Sequence, residues 1–198
     1  MRTLSATALC LFALTAASPA QVRLGARLGA TWSSTLAKDE IGTNIKVKTG
    51  IAPTLSLTAS IPSGRKFRLG LETVLTTSSV EASDDQGTND LGSLRTASLL
   101  LTAEGPAMFA GIYWRVGLGL IKFLPSEKQG LFLQGGPTRI TGNLTAEYRK
   151  AIKPGWEFAA GVRYGIHQFT TKELQSRGFS RSQMVHRVGL ELGAARYF

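Results

Sequence analysis

The chain has 198 residues, 43% of them hydrophobic, and sets 23 basic against 13 acidic side chains for a formal charge of +10. That length suffices for one domain of ordinary size and demands no second. The basic residues are scattered singly, with no Lys/Arg run and no aromatic-bearing recognition motif, which argues against nucleic acid as a partner and leaves an anionic membrane surface or an anion-favouring interior.

Residues 1–20 open with one basic residue, Arg2, run through an apolar stretch from Leu4 to Ala17, and finish in Ser18-Pro19-Ala20, small residues suited to cleavage before Gln21. The pattern predicts a secretory signal peptide, because the apolar run is shorter than the roughly 18 residues a spanning helix needs and no basic stop-transfer cluster follows. Cys10 is the only cysteine; Leu9 before it and the apolar run beyond it speak against lipidation. The expected mature domain, 21–198, thus has no disulfide to hold it. It carries 22 basic and 13 acidic residues, a charge near +9.

Beyond residue 20 apolar residues alternate with small or charged ones, the period of two expected of strands. Eight such segments are predicted, at about 21–33, 46–61, 66–80, 93–104, 108–122, 138–151, 156–169 and 183–198, with ends placed to within a few residues. The first sets Val22, Leu24, Ala26, Leu28, Ala30 and Trp32 against Arg23, Gly25, Arg27, Gly29 and Thr31. In the second, Pro53 lacks a ladder donor and predicts a bulge or irregularity. The third sets Leu69, Leu71 and Leu75 against Arg68, Gly70 and Glu72, and the fifth sets Met108, Ala110, Ile112, Trp114 and Val116 against Gly111, Tyr113, Arg115 and Gly117. The seventh is the clearest, with Trp156, Phe158, Ala160, Val162, Tyr164 and Ile166 opposed to Glu157, Gly161, Arg163, Gly165 and His167.

A face of glycine and long charged side chains makes a poor dry core but a reasonable filling for a small barrel, so the apolar face is expected to look outward. Connections at Pro62-Ser63-Gly64, Gly105-Pro106-Ala107 and Lys153-Pro154-Gly155 are tight, whereas those at about 34–45, 81–92, 123–137 and 170–182 are long and polar. Tight turns on one rim and long loops on the other are the outer-membrane arrangement, and an even strand number puts both chain ends at the short-turn, periplasmic rim. Closure also removes the unpaired edges that lipid does not tolerate.

The last segment, Val188 to Phe198, alternates apolar residues and ends in an aromatic. It resembles the signal read by the barrel-assembly machinery of Gram-negative bacteria, with Phe198 as the terminal aromatic and Arg196 standing where a second aromatic is usual. Arg27-Leu-Gly-Ala-Thr-Trp-Ser33, Ile61-Pro-Ser-Gly-Arg-Lys-Phe67 and Gly189-Leu-Glu-Leu-Gly193 further resemble the PorT-like and OmpX-like small outer-membrane barrels. The resemblance spans nearly the whole mature chain. It implies an all-β, eight-stranded antiparallel up-and-down transmembrane β-barrel in the outer membrane, with membrane lipid and the assembly machinery as partners, and no cofactor or reaction.

The inward face is expected to carry Arg23, Arg27, Lys46, Lys48, Arg68, Arg115, Arg139, Arg149, Arg163 and Arg187, opposed by Glu72, Glu104, Glu147, Glu157 and Glu191. Buried charges persist when paired, so these predict a salt-bridged plug; a narrow anion-preferring passage or small anion site is the alternative. The two histidines, His167 and His186, have no neighbours at metal-ligand spacing. A lipid A hydrolase similar to PagL would need a serine two places after the histidine, where His167 has Phe169; His167 is expected at the lumen or rim, paired with Glu157 or a loop carbonyl. Trp32, Phe67, Trp114, Tyr148, Trp156 and Phe198 read as interface girdles, with Trp114 deeper. The acidic loop 81–92 fits no calcium template and reads as a solvated surface loop. A soluble lipocalin-like barrel, apolar side inward, is the remaining alternative.

Overall fold

The computed structural model describes residues 21–38, 46–84, 87–126, 132, 133, 135–176 and 183–198; the expected signal segment 1–20 lies outside the described residues. The period-two pattern produces strands β1 (Arg23–Ser33), β2 (Ala37–Lys38), β3 (Lys46–Thr49), β4 (Ala52–Ser63), β5 (Phe67–Asp84), β6 (Gly87–Pro106), β7 (Ile112–Pro125), β8 (Thr138–Lys153), β9 (Trp156–Phe169) and β10 (Gln183–Tyr197). One short helix, α1 (Lys172–Ser176), stands between β9 and β10.

Every stave pairs antiparallel with both neighbours, in the order β1-β10-β9-β8-β7-β6-β5-β4 and back to β1. The upper part of the second stave is β3, which pairs with β5 as β4 does below it, and β2 adds a short hairpin to β3. The result is a closed eight-stranded antiparallel up-and-down β-barrel. Its seam joins the first and last strands, from Arg23↔Tyr197 to Ser33↔Arg187.

The three short connections lie on one rim, and each contains a glycine in the left-handed region: Gly64 at φ 80°, Gly111 at 77° and Gly155 at 74°. That region is open to glycine and costly to most other residues, so these positions fix the turns. The middle turn differs from the sequence expectation. Gly105 and Pro106 finish β6, paired with Trp114 and Tyr113, and the chain reverses over Ala107–Gly111, where the Ala107 amide donates to the Ile112 carbonyl at 2.8 Å. Met108 and Ala110, expected on the outward face of a strand, therefore sit at an exposed turn. A proline tolerates a strand end, and Gly111 supplies the reversal.

Two further differences lie towards the long-loop rim. The segment expected as a loop at 81–92 is mostly strand: β5 and β6 continue past a bulge at Ser79/Glu81 and stay paired as far as Asp84↔Gly87. Lys46 and Lys48 are exposed, with Val47 buried between them, whereas in β4 the even positions Ala52, Thr54 and Ser56 point inward. The break at Gly50-Ile51, just ahead of Pro53, shifts the parity by one residue. A one-residue shift reverses which side chains face in.

Inward glycines answer a packing need. A Cβ on Gly29 would lie 2.0 Å from the Leu190 carbonyl oxygen, and one on Gly119 would lie 1.9 Å from that of Leu99. The coiled strands approach closely there, and the absent side chains leave the interior free for long charged ones.

Candidate functional site

Inside the barrel the side chains form tiers. Nearest the short-turn rim, Arg23 on β1 donates from Nε to Glu157 Oε1 at 2.6 Å and sets Nη1 3.5 Å from Glu104 Oε2. Glu157 also accepts from the Tyr197 hydroxyl at 2.8 Å, and Glu104 accepts from the Ser60 hydroxyl at 2.9 Å. Arg149 on β8 lies 2.5 Å from Glu104, pairs with Glu147, and stacks 4.4 Å over the Tyr113 ring. Arg68 closes the tier from β5, 3.6 Å from Glu104 and 5.4 Å over Tyr197.

One level up, Arg27 reaches Glu147 at 3.0 Å, and Arg115 bridges Glu147 at 3.4 Å and Glu72 at 3.2 Å. Arg163 binds Glu72 at 2.5 Å and Glu191 at 2.8 Å, while the Ser56 hydroxyl donates to Glu72 at 2.6 Å. Glu72 is 1% exposed. Charges held that far from water survive because each carboxylate meets at least one guanidinium with hydrogen-bond geometry. All five glutamates are joined through shared arginines into a connected set.

A hydroxyl tier follows, with Thr31 and Thr54 2.8 Å apart and Thr76 and Thr96 2.7 Å apart. Arg187 enters here from β10 and donates to Thr96 at 3.2 Å, separate from the ion-pair set below. Arg139 stands higher, half-buried, and donates to the Thr170 carbonyl at 2.8 Å.

Above the hydroxyls the interior turns apolar. Phe123, Phe169, Leu94, Val47 and Val185 are buried together, roofed by Phe132 and by Leu174 of α1. The Phe123 and Phe169 rings meet edge-on at 5.2 Å. His167 belongs to this plug: it is 3% exposed, its ring lies 5.4 Å from Phe123, and its Nε2 has no hydrogen-bond partner among the described residues. It is far along β9 from Glu157, so the expected pairing is not made. The sequence reading missed this plug, although Ile121, Phe123, Phe169 and Val185 break the polar inward pattern at the same end of their strands.

The exterior is the reverse of a soluble protein's. Leu28, Leu101 and Ile140 are 68%, 71% and 69% exposed, and comparable leucines and valines continue round the staves. An uncovered belt of that extent is a surface made for lipid, and with charge inside and hydrocarbon outside, the inside-out lipocalin-like alternative falls. Phe67, Trp114, Tyr148, Trp156 and Phe198 gather at the short-turn rim and Trp32 near the other. Trp114 is not deep: it packs 5.9 Å from Phe67, close to the turns. Arg196 lies 5.6 Å over Trp156 and 4.6 Å over Phe198 in the same girdle.

Several solved structures share this fold, three of them as follows. Neisserial surface protein A aligns at 12% identity and a TM-score of 0.58, covering 89% of this chain and 97% of that one. OprG, an outer membrane protein from Pseudomonas aeruginosa, aligns at 13% and 0.56, covering 90% and 96%. The outer membrane protein AlkL, determined in DMPC bilayers, aligns at 15% and 0.53, covering 92% and 93%. No protein-family model and no curated protein sequence matches the chain.

Proposed function

We propose that the protein is an outer-membrane barrel with a sealed lumen, acting as a structural or recognition element through the surface it presents at its long-loop rim. The observation that carries this reading is the double closure of the interior. Arg163 and Glu72 meet across the full width of the barrel, and the phenylalanine plug stands above them. Ions crossing would have to break both a buried ion-pair network and a dry apolar layer.

The apolar belt and aromatic girdle support insertion in a membrane, and an up-and-down barrel with short turns on one rim favours the outer one. Export by cleavage after residue 20 and delivery by the barrel-assembly machinery through Phe198 complete the proposal. Kinship with PorT-like barrels rests on the glycine and aromatic motifs alone. The reading assigns no reaction: His167 is packed among phenylalanines, and the exposed His186 accepts or donates a 2.6 Å hydrogen bond with Tyr164.

Two measurements test it. Outer-membrane fractions run with and without boiling should show a mobility shift, since a closed barrel resists detergent until heated. Purified protein in planar bilayers should then be silent. Stepwise currents that change with Arg27 or Arg115 would overturn the sealed lumen in favour of an anion passage.

A further inference from the structure

Seven inward arginines face five inward glutamates in the tiers between the short-turn rim and the apolar plug. Arg23, Arg27, Arg68, Arg115, Arg149 and Arg163 share those glutamates. Arg187 does not: among the described residues its one hydrogen bond is to a neutral hydroxyl, Thr96, and its buried Nε has no partner. A guanidinium cannot shed its proton at any ordinary pH, so the charge persists. Withdrawn from bulk water and lacking a counter-charge, it is strongly destabilising unless something supplies one.

Beside Arg187 is a cavity of about 20 Å³, lined by Arg163 and Arg187 together with Thr76, Ser98, Thr141 and Asn143. That is room for about one water-sized particle, too little for a carboxylate or a phosphate. The lining offers donors: the two guanidiniums and the Ser98 hydroxyl converge, the Thr141 hydroxyl being given to the Ile166 carbonyl at 3.2 Å, while neither carboxylate that holds Arg163 lines the cavity. With its amide turned to satisfy both neighbours, Asn143 accepts from Arg163 Nη1 at 3.0 Å and donates to the Gly142 carbonyl at 2.9 Å.

We propose that this cavity is a binding site for a small monovalent inorganic anion, a halide, held by Arg187 with Arg163 and the Ser98 hydroxyl. The site is a resting place and not a stage in a passage, because the Arg163–Glu72 pair closes it below and Ile121 and the phenylalanine plug close it above. It rests on the fold alone and stands independently of any role at the cell surface.

The test is the melting temperature of the detergent-folded barrel, with chloride or bromide replacing gluconate at constant ionic strength. The wild-type midpoint should rise with halide, each tenfold increase above the dissociation constant multiplying the folding constant about tenfold. Arg187→Met should flatten that dependence. Asn143→Asp, nearly isosteric, places the counter-charge in the chain itself and should also flatten it, with a midpoint in gluconate at or above that of the wild type. A halide-independent wild type, or a slope retained in either variant, would overturn the assignment. Should Arg187→Met fail to fold, crystals of the wild type soaked in bromide decide: an anomalous peak beside Arg187 supports the site, and an empty cavity at saturating bromide overturns it.

Discussion

Arg163 on β9 and Glu72 on β5 stand on staves four places apart in a ring of eight, diametrically opposite, yet Nη2 and Oε1 are 2.5 Å apart. The pair spans the barrel as a strut. Removing Glu72 leaves Arg163 to Glu191 alone and Arg115 to Glu147 alone, both still charged and buried, a loss of up to about 3–5 kcal/mol. Glu72→Gln should therefore lower the unfolding free energy by up to that amount, read as a lower urea midpoint of the folded band on unboiled gels. Replacing Glu72, Arg163 and Glu191 together by Met, which removes the strut without stranding Glu191, should recover part of it, and a Glu72→Gln protein as stable as the parent would show that the strut is not under that load.

The apolar plug makes a separate contribution. Phe123→Ala removes a fully buried ring that touches both Phe169 and His167. A cost of about 3–5 kcal/mol is expected from the lost burial and the cavity left behind. Planar bilayers should stay silent with this variant, because the ion-pair tiers beneath it are intact; opening of current by Phe123→Ala alone would mean that the tiers do not seal.

Beyond the plug the β5–β6 hairpin projects with Ala82 paired to Asn89. Deleting 83–88 and joining the strands by Asn-Gly, a two-residue turn matched to strand twist, should change stability by less than about 0.5 kcal/mol. Heat-modifiability of the trimmed protein checks this. Any binding partner recruited by the tip should be lost with it.

Leu101 faces outward from β6, between Leu71 of β5 and Leu118 of β7. Leu101→Arg places a cation in the belt and should cost about 2–4 kcal/mol of folding free energy in lipid vesicles. Ser79→Arg, near the long-loop rim, should cost much less. Equal effects at both positions would argue that the belt is not lipid-covered.

Phe198 is where the proposed delivery signal can be told apart from folding. Its backbone amide donates to the Val22 carbonyl at 2.9 Å while the residue stays 61% exposed. Phe198→Ala should thus fold normally from urea into detergent but reach the outer membrane of cells poorly, as read by the fraction of heat-shifted protein. Equal loss in both assays would make the ring a structural element.

The alternation of residues such as Trp156 to Ile166 made the staves, the closure and the two faces legible, because a half-buried strand writes its geometry at a period of two. Parity arguments carry only as far as the strand is unbroken. Lys46 and Lys48 were misplaced because Gly50-Ile51 inserts a step that no composition rule locates. Met108 and Ala110 were misplaced because Pro106 reads locally as a turn, while the residue that reverses the chain is Gly111. The plug was missed for a different reason: Phe123, Phe132 and Leu174 lie in stretches whose polarity spoke for loops, and their convergence is a property of the closed cylinder. Pairings such as Arg163 with Glu72, 91 residues apart, are likewise decided by the ring.

The seam between β1 and β10 also governs time. Arg23 finds Tyr197, and Ser33 finds Arg187, only after the whole domain has left the ribosome. Before that the first strand lacks its partner on the β10 side, and contacts of such long sequence separation form slowly. A chain whose first and last strands have not met has two unpaired margins, and a chaperone or a templating surface that shields them would give the interval in which both ends can meet.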